Sequence, residues 1–170
     1  MSSAPRVFTR LLKPVFSYLR KQGFTNVCYI DDIYLQGDSY EECLENVVNT
    51  SRLIDDLGLT IHPKKSVLRP STSVTFLGFL INSENMTVRL TSEKAKDLSD
   101  LCLSISKRVE ITIRELAQVI GKMIASDPGM ECGPLYYKIL EIEKDQKLKA
   151  NCGNFEAKIQ ISEKSKSTLN

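Results

Sequence analysis

The stretch "NVCYIDDIYLQG", residues 26–37, sets two adjacent aspartates, Asp31 and Asp32, between two apolar, aromatic-bearing runs. The pattern predicts two short strands turning at Asp31-Asp32, with Ile30 opposite Ile33 and Tyr29 opposite Tyr34. Two-residue hairpin turns favour Asn-Gly or Gly-X, which accept positive φ cheaply. An Asp-Asp turn is a poorer choice and is expected to be strained, which marks a place to look for function. Adjacent carboxylates also repel, and burying either one unpaired costs free energy. A divalent cation removes that cost: magnesium takes one or two carboxylates, keeps some water and fills its shell with phosphate oxygens. A solvated turn is the plain alternative; the flanking Tyr-Ile and Ile-Tyr-Leu weigh against it, because they bury the hairpin and present its tip at a fixed place.

Outward from this hairpin the chain has the composition of a soluble globular protein. Its 170 residues are 42% apolar and 26% charged, enough for one domain with a core or a piece of a larger one. No apolar run approaches the roughly 20 residues that cross a bilayer, so no membrane partner is expected. The five cysteines are scattered and never spaced as CxxC, against a disulfide framework or zinc site and in favour of a reducing intracellular compartment, cytoplasmic or nuclear by default. The lone His62 has no metal-ligand partner at a suitable spacing. Arg6, Arg10, Lys13, Arg20 and Lys21 precede the first carboxylate, Asp31. This basic, acid-free start also resembles a mitochondrial transit segment, but its apolar face runs on into a strand instead of a cleavable spacer.

Before the hairpin, Pro5 in a first turn and Phe8, Leu11, Leu12, Val15, Phe16 and Leu19 at helical spacing predict a helix kinked at Pro14 and ended by Gly23. After it, a cap with an acid three residues on (Asp38, Glu41) and a stripe of Leu44, Val47, Val48, Ile54 and Leu57 predict a second helix, ended by Gly58. "VTFLGFLINSENMTVRL", residues 74–90, reads as two strands around a polar Ser-Glu-Asn turn. Beyond residue 91 the pattern is helical. Leu98, Leu101, Cys102 and Ile105 form one stripe. A capping box (Thr112, Glu115) opens a helix burying Leu116, Val119, Ile120, Met123 and Ile124, and Pro134 starts another through about Lys149. Residues 150–170 read as a polar tail or linker. The fold class is therefore α+β, with an α+β part over 1–90 and an all-helical part over 91–149.

At this point the residues carry a family resemblance. "YIDD" in a hydrophobic hairpin resembles the YxDD box of reverse transcriptases, RNA-directed DNA polymerases with a palm domain. Its neighbours agree in order. "SAPRVFTRLL" (3–12) resembles the Ser-x-Pro-x-x-Phe segment that opens a palm helix, and "GLTIHPKKS" (58–66) the lysine-bearing loop. "TFLGFLI" (75–81) resembles the primer grip. "LTSEKAKDL", "TIRELAQVIGKMIAS" and "GPLYYKIL" resemble thumb and connection of DIRS-like or gypsy-like retroelements. The resemblance implies a partial polymerase palm, a short antiparallel sheet with helices, followed by a helical thumb. It makes Asp31 the primary metal ligand with Asp32 its neighbour, and sets Tyr29 beside the primer terminus. Lys64 or Lys65 would lie near the nucleotide phosphates. Phe76, Leu77, Gly78 and Phe79 would form the primer grip. Arg6 is a cation in a helix first turn, where the dipole is unfavourable; template phosphate nearby would offset that, and a solvated arginine is the commoner alternative.

The implied cofactors are two Mg2+ (or Mn2+) ions, about 3.5–4 Å apart in a two-metal site. The implied partners are an RNA/DNA template-primer duplex and dNTP. The family takes a third carboxylate from a strand upstream of the box, together with fingers. No acidic residue precedes Asp31 here, so this chain is expected to bind metal weakly and to be inactive alone, with a fingers-palm portion as a possible partner. On residue types alone, Lys64-Lys65 is a solvated basic loop. Lys107, Arg108, Arg114 and Lys122 are either duplex contacts or a solvated helix face.

Overall fold

The computed structural model describes residues 3–169, so the outermost ends of the 1–90 and 150–170 segments, Met1, Ser2 and Asn170, lie outside the described residues. The chain divides after Leu77 into two units. The sequence pattern had set the change of character near Leu90.

The first unit holds α1 (Ala4–Lys21), β1 (Thr25–Tyr29), β2 (Asp32–Gln36), α2 (Tyr40–Asp56) and β3 (Ser73–Phe76). α1 carries Pro5 in its first turn and runs on through Pro14, which faces solvent. Its end is set locally. Gly23, at φ +92°, lets its own N–H reach Arg20 O and the Phe24 N–H reach Leu19 O, the paired bonds of a Schellman cap. Gly58 ends α2 in the same way, with Leu59 N–H donating to Ile54 O. α2 is capped one residue later than its acids suggested: the Ser39 hydroxyl accepts from Glu42 N–H, and Glu42 reaches back to Asp38 N–H.

The core of this unit is small. Leu12, Phe16 and Leu19 are buried, with Phe8, Phe24, Cys28, Ile33, Leu53 and Leu59 packed around them. Leu11, expected on the buried stripe, is 60% exposed. On α2 the buried face is Asn46, Thr50 and Ile54, and Leu44, Val48 and Leu57 of the expected stripe are exposed. A buried amide displaces the apolar stripe because the open end of the hairpin presents two carbonyls there, as described below.

The second unit holds β4 (Phe79–Asn82), β5 (Thr87–Leu90), α3 (Ser92–Ser106), β6 (Ile111–Thr112), α4 (Ile113–Ser126), a 3-10 turn (Asp127–Gly129), α5 (Gly133–Ala150), β7 (Lys158–Ile159) and α6 (Glu163–Leu169). The 74–90 stretch is thus not two strands but parts of three, broken at Leu77-Gly78, where both residues have positive φ (51° and 77°). β4 and β5 pair antiparallel, Phe79 opposite Leu90. The Thr112–Glu115 capping box forms as expected. α4 is the centre of the core: Ile113, Leu116, Val119, Ile120 and Met123 meet Leu98 and Ile105 of α3 and Tyr137 and Leu140 of α5. Ile124, expected in that set, is 42% exposed.

Residues 150–169 are built into this unit and are not an irregular tail. Ile159 pairs with Ile111, and Ile159, Ile161 and Leu169 enter the core. The Ile113 and Arg114 N–H groups, which have no acceptor inside the first turn of α4, donate to Ala157 O and Phe155 O. α6 is held by Glu143 of α5, whose carboxylate accepts from the Ser162 N–H, the Ser162 hydroxyl and the Ser165 hydroxyl.

Candidate functional site: a clamped hairpin with two carboxylates at its tip

β1 and β2 pair antiparallel with Tyr29 opposite Asp32, Cys28 opposite Ile33 and Val27 opposite Tyr34. The turn is therefore Ile30-Asp31, not Asp31-Asp32, and Tyr29 faces Asp32 where Tyr34 was expected. The shift is by two residues, so each side chain keeps its face of the ribbon. Ile30 takes φ +57° and Asp31 does not have positive φ, the pattern of a II′ turn. Strain is present as expected, but it sits on a β-branched isoleucine, among the residues least suited to that region. Asp31 and Asp32 are both exposed, one on the turn and one opening β2, beside a Tyr29 that is 57% exposed. The Cys28 thiol donates to Ile30 O at 3.3 Å, bracing the strained residue. Burial pushes that thiol's pKa up; Arg20 opposes, and the Asp31 and Asp32 charges add to the rise.

The other end of the hairpin is tied down by two buried asparagines that the motif did not point to. Asn26 Nδ2 donates to Phe24 O (2.9 Å), and its Oδ1 accepts from Arg20 Nη1 (2.7 Å), joining β1 to the last turn of α1. Asn46 of α2 donates to Thr25 O (2.8 Å) and Gln36 O (2.9 Å), the facing residues that close the ladder, and its Oδ1 accepts from the Thr50 hydroxyl (3.1 Å). A signal existed for Asn26, since asparagine is depleted in strand interiors. For Asn46 there was none: its partners lie 21 and 10 residues away.

Of the remaining expected site residues, Phe76 on β3 lies beside the hairpin, its ring centroid 5.4 Å from that of Tyr34. Leu77 is 39% exposed. Gly78 and Phe79 belong to the second unit. There Lys94 Nζ sits 3.7 Å above the Phe79 ring and donates to Ala125 O, with burial lowering its pKa. Gly78 is needed by this arrangement, because an added Cβ would come within 2.9 Å of Lys94 Cδ. Lys64 and Lys65 are exposed on a turn closed by Lys65 and Ser66 N–H groups donating to His62 O. Arg6 is exposed in the first turn of α1. None of these three has a described contact with the aspartates. In the second unit, Arg108 pairs with Glu115 and Arg114 with Glu156, while Lys107 and Lys122 are exposed.

Among the described residues no group of three or more His, Cys, Asp or Glu is arranged to hold a metal. The two exposed carboxylates nonetheless fit a hard divalent ion of the magnesium type, which needs only one or two and takes water and phosphate for the rest. All five cysteines are free thiols, and no described helix is long and apolar enough to cross a membrane.

Compared with known proteins, the chain matches no curated protein and no solved structure. Residues 1–81, which carry α1, the hairpin, α2 and β3, match the family model of the reverse transcriptase (RNA-dependent DNA polymerase), and this part of the chain is similar to an RNA-directed DNA polymerase domain.

Proposed function

We propose that residues 1–90 serve as part of the palm of a retroelement reverse transcriptase of DIRS-like or gypsy-like type, and residues 91–149 as its thumb or connection. One observation carries this: within the segment that matches the polymerase family, two exposed carboxylates stand at the tip of a hairpin clamped at its root by Asn26 and Asn46. Asp31 and Asp32 would hold magnesium or manganese, which when bound supplies a Lewis acid beside the primer 3′-hydroxyl and the nucleotide phosphates. Tyr29 lies against the primer end, Lys64 or Lys65 takes nucleotide phosphate, Phe76 to Phe79 support the primer, and Arg6 meets the template. The described residues bring no third carboxylate to the pair, so on this proposal activity needs one supplied from outside them, together with fingers.

Primer extension tests it, using oligo(dT)-primed poly(A) with magnesium, the chain alone and the chain mixed with a fingers-palm fragment. Extension by the mixture that disappears with Asp31→Asn supports a metal site. Folded protein that extends nothing in either case refutes catalysis. A second function, binding duplex without catalysis, is favoured by the exposed Lys64, Lys65, Lys107 and Lys122. It would show as salt-sensitive binding that Asp31→Asn leaves unchanged.

A further inference from the structure

The first unit leaves two apolar stripes uncovered, and they carry opposite charge. On α1, Val7, Leu11 and Tyr18 recur at i, i+4 and i+11 and are 60%, 60% and 53% exposed. They lie to one side of the buried Leu12–Phe16–Leu19 face, so the apolar arc of this helix is wider than its own core covers. On α2, Tyr40, Leu44 and Val48 recur at i, i+4 and i+8, are 55%, 38% and 46% exposed, and stand apart from the buried Asn46–Thr50–Ile54 face. At 1.5 Å per residue the two stripes run about 16 and 12 Å. Uncovered apolar rows of this kind mark interaction surfaces.

The charge around the stripes identifies the occupant. α1 carries five cations and no acid; α2 carries five acids and one cation, Arg52. Every ion pair among the described residues lies in the second unit. The first unit therefore holds its two signs apart on two helices without pairing them internally. A nucleic acid or an anionic lipid surface would suit α1 and be repelled by α2. A ligand covering both stripes must offer an acidic apolar helix and a basic apolar helix, and this unit has one of each.

We propose that the chain self-associates as a two-fold dimer in which the α1 stripe of each copy packs on the α2 stripe of the other. Each copy offers both stripes, so the α1–α2 contact is made twice, as an isologous interface requires. This stands whether or not the hairpin takes part in polymerisation.

Sedimentation equilibrium on the chain, from low micromolar to hundreds of micromolar at 50 and 500 mM salt, tests the proposal. The expected result is a monomer–dimer equilibrium whose Kd rises at least tenfold at high salt. Arg10→Glu with Lys13→Glu, and separately Glu41→Lys with Glu45→Lys, should each be monomeric with unchanged helical circular dichroism, because all four side chains are exposed. Mixing the two variants should restore a heterodimer, since the acids placed at positions 10 and 13 of one then face the cations placed at 41 and 45 of the other. A monomer under all conditions overturns the proposal, as does a dimer indifferent to both reversals. Variants that fail to associate when mixed also overturn it and leave α1 as a surface for some other polyanion.

Discussion

Replacing Asn46 by Ala should release the hairpin from α2. The Asn46 side chain is 1% exposed and makes three hydrogen bonds, two to the carbonyls of the closing pair Thr25 and Gln36 and one from Thr50. A net contribution of about 1 kcal/mol per bond gives roughly 2–3 kcal/mol, and the carbonyls left without a donor keep the loss from being smaller. In a cooperative unit of this size such a loss lowers Tm by roughly 10–20 °C. Thermal unfolding followed by circular dichroism reads the loss. Hydrogen exchange reads where it falls, with the expected loss of protection concentrated in β1 and β2. Asn46→Asp should be worse near neutral pH, since it turns a carboxylate oxygen towards two carbonyls in place of the amide N–H. A change of less than about 0.5 kcal/mol for Asn46→Ala would refute the clamp as the device that positions the aspartate tip.

Ile30 should invert the usual order of glycine and alanine. At φ +57° alanine keeps the left-handed cost and glycine does not, so Ile30→Gly should be more stable than Ile30→Ala by about 1 kcal/mol in denaturant titrations. Equal stabilities would show that the turn relaxes freely. Gly37→Ala should destabilise the first unit by about 1–3 kcal/mol, because the new methyl falls onto the Cys43 backbone nitrogen and within 2.7 Å of its Cα. Wild-type thermal stability in this variant would mean that β2 and α2 move apart at little cost. In the second unit, burial pushes the Glu143 carboxyl up, but hydrogen bonds from Ser165 and Ser162, with Lys147 nearby, outweigh it and hold the pKa below the ordinary value. Its contribution is present above the unfolded glutamate pKa of about 4.3 and is lost as pH falls through the lower folded value. Glu143→Gln should flatten acid unfolding across that window, and an unchanged acid profile would refute the role.

The helix ends and the acidic pair were legible in the amino-acid order because their causes are local. Gly23, Gly58 and the Thr112–Glu115 box act through hydrogen bonds spanning three to five residues, and Asp31-Asp32 are adjacent. The α4 core stripe was legible for a related reason, since its period matches the one face that neighbouring helices cover, all but Ile124. Where two outcomes satisfied the same local pattern, tertiary structure chose between them. The hairpin alternation allows turns one residue apart, whose pairings differ by two and keep identical faces, and the ladder closed by Asn46 at Thr25 and Gln36 goes with Ile30-Asp31. α2 has an apolar face and an amide-bearing face; the second is buried because distant carbonyls needed donors and the apolar residues did not. Residues 150–169 look polar, yet three of them, Ile159, Ile161 and Leu169, complete a core whose other members reach back to Leu98. Sequence alone determined the helix stops at Gly23 and Gly58 and the Thr112–Glu115 capping box. Folding determined which faces were covered, because burial depends on groups that meet only when the chain has closed.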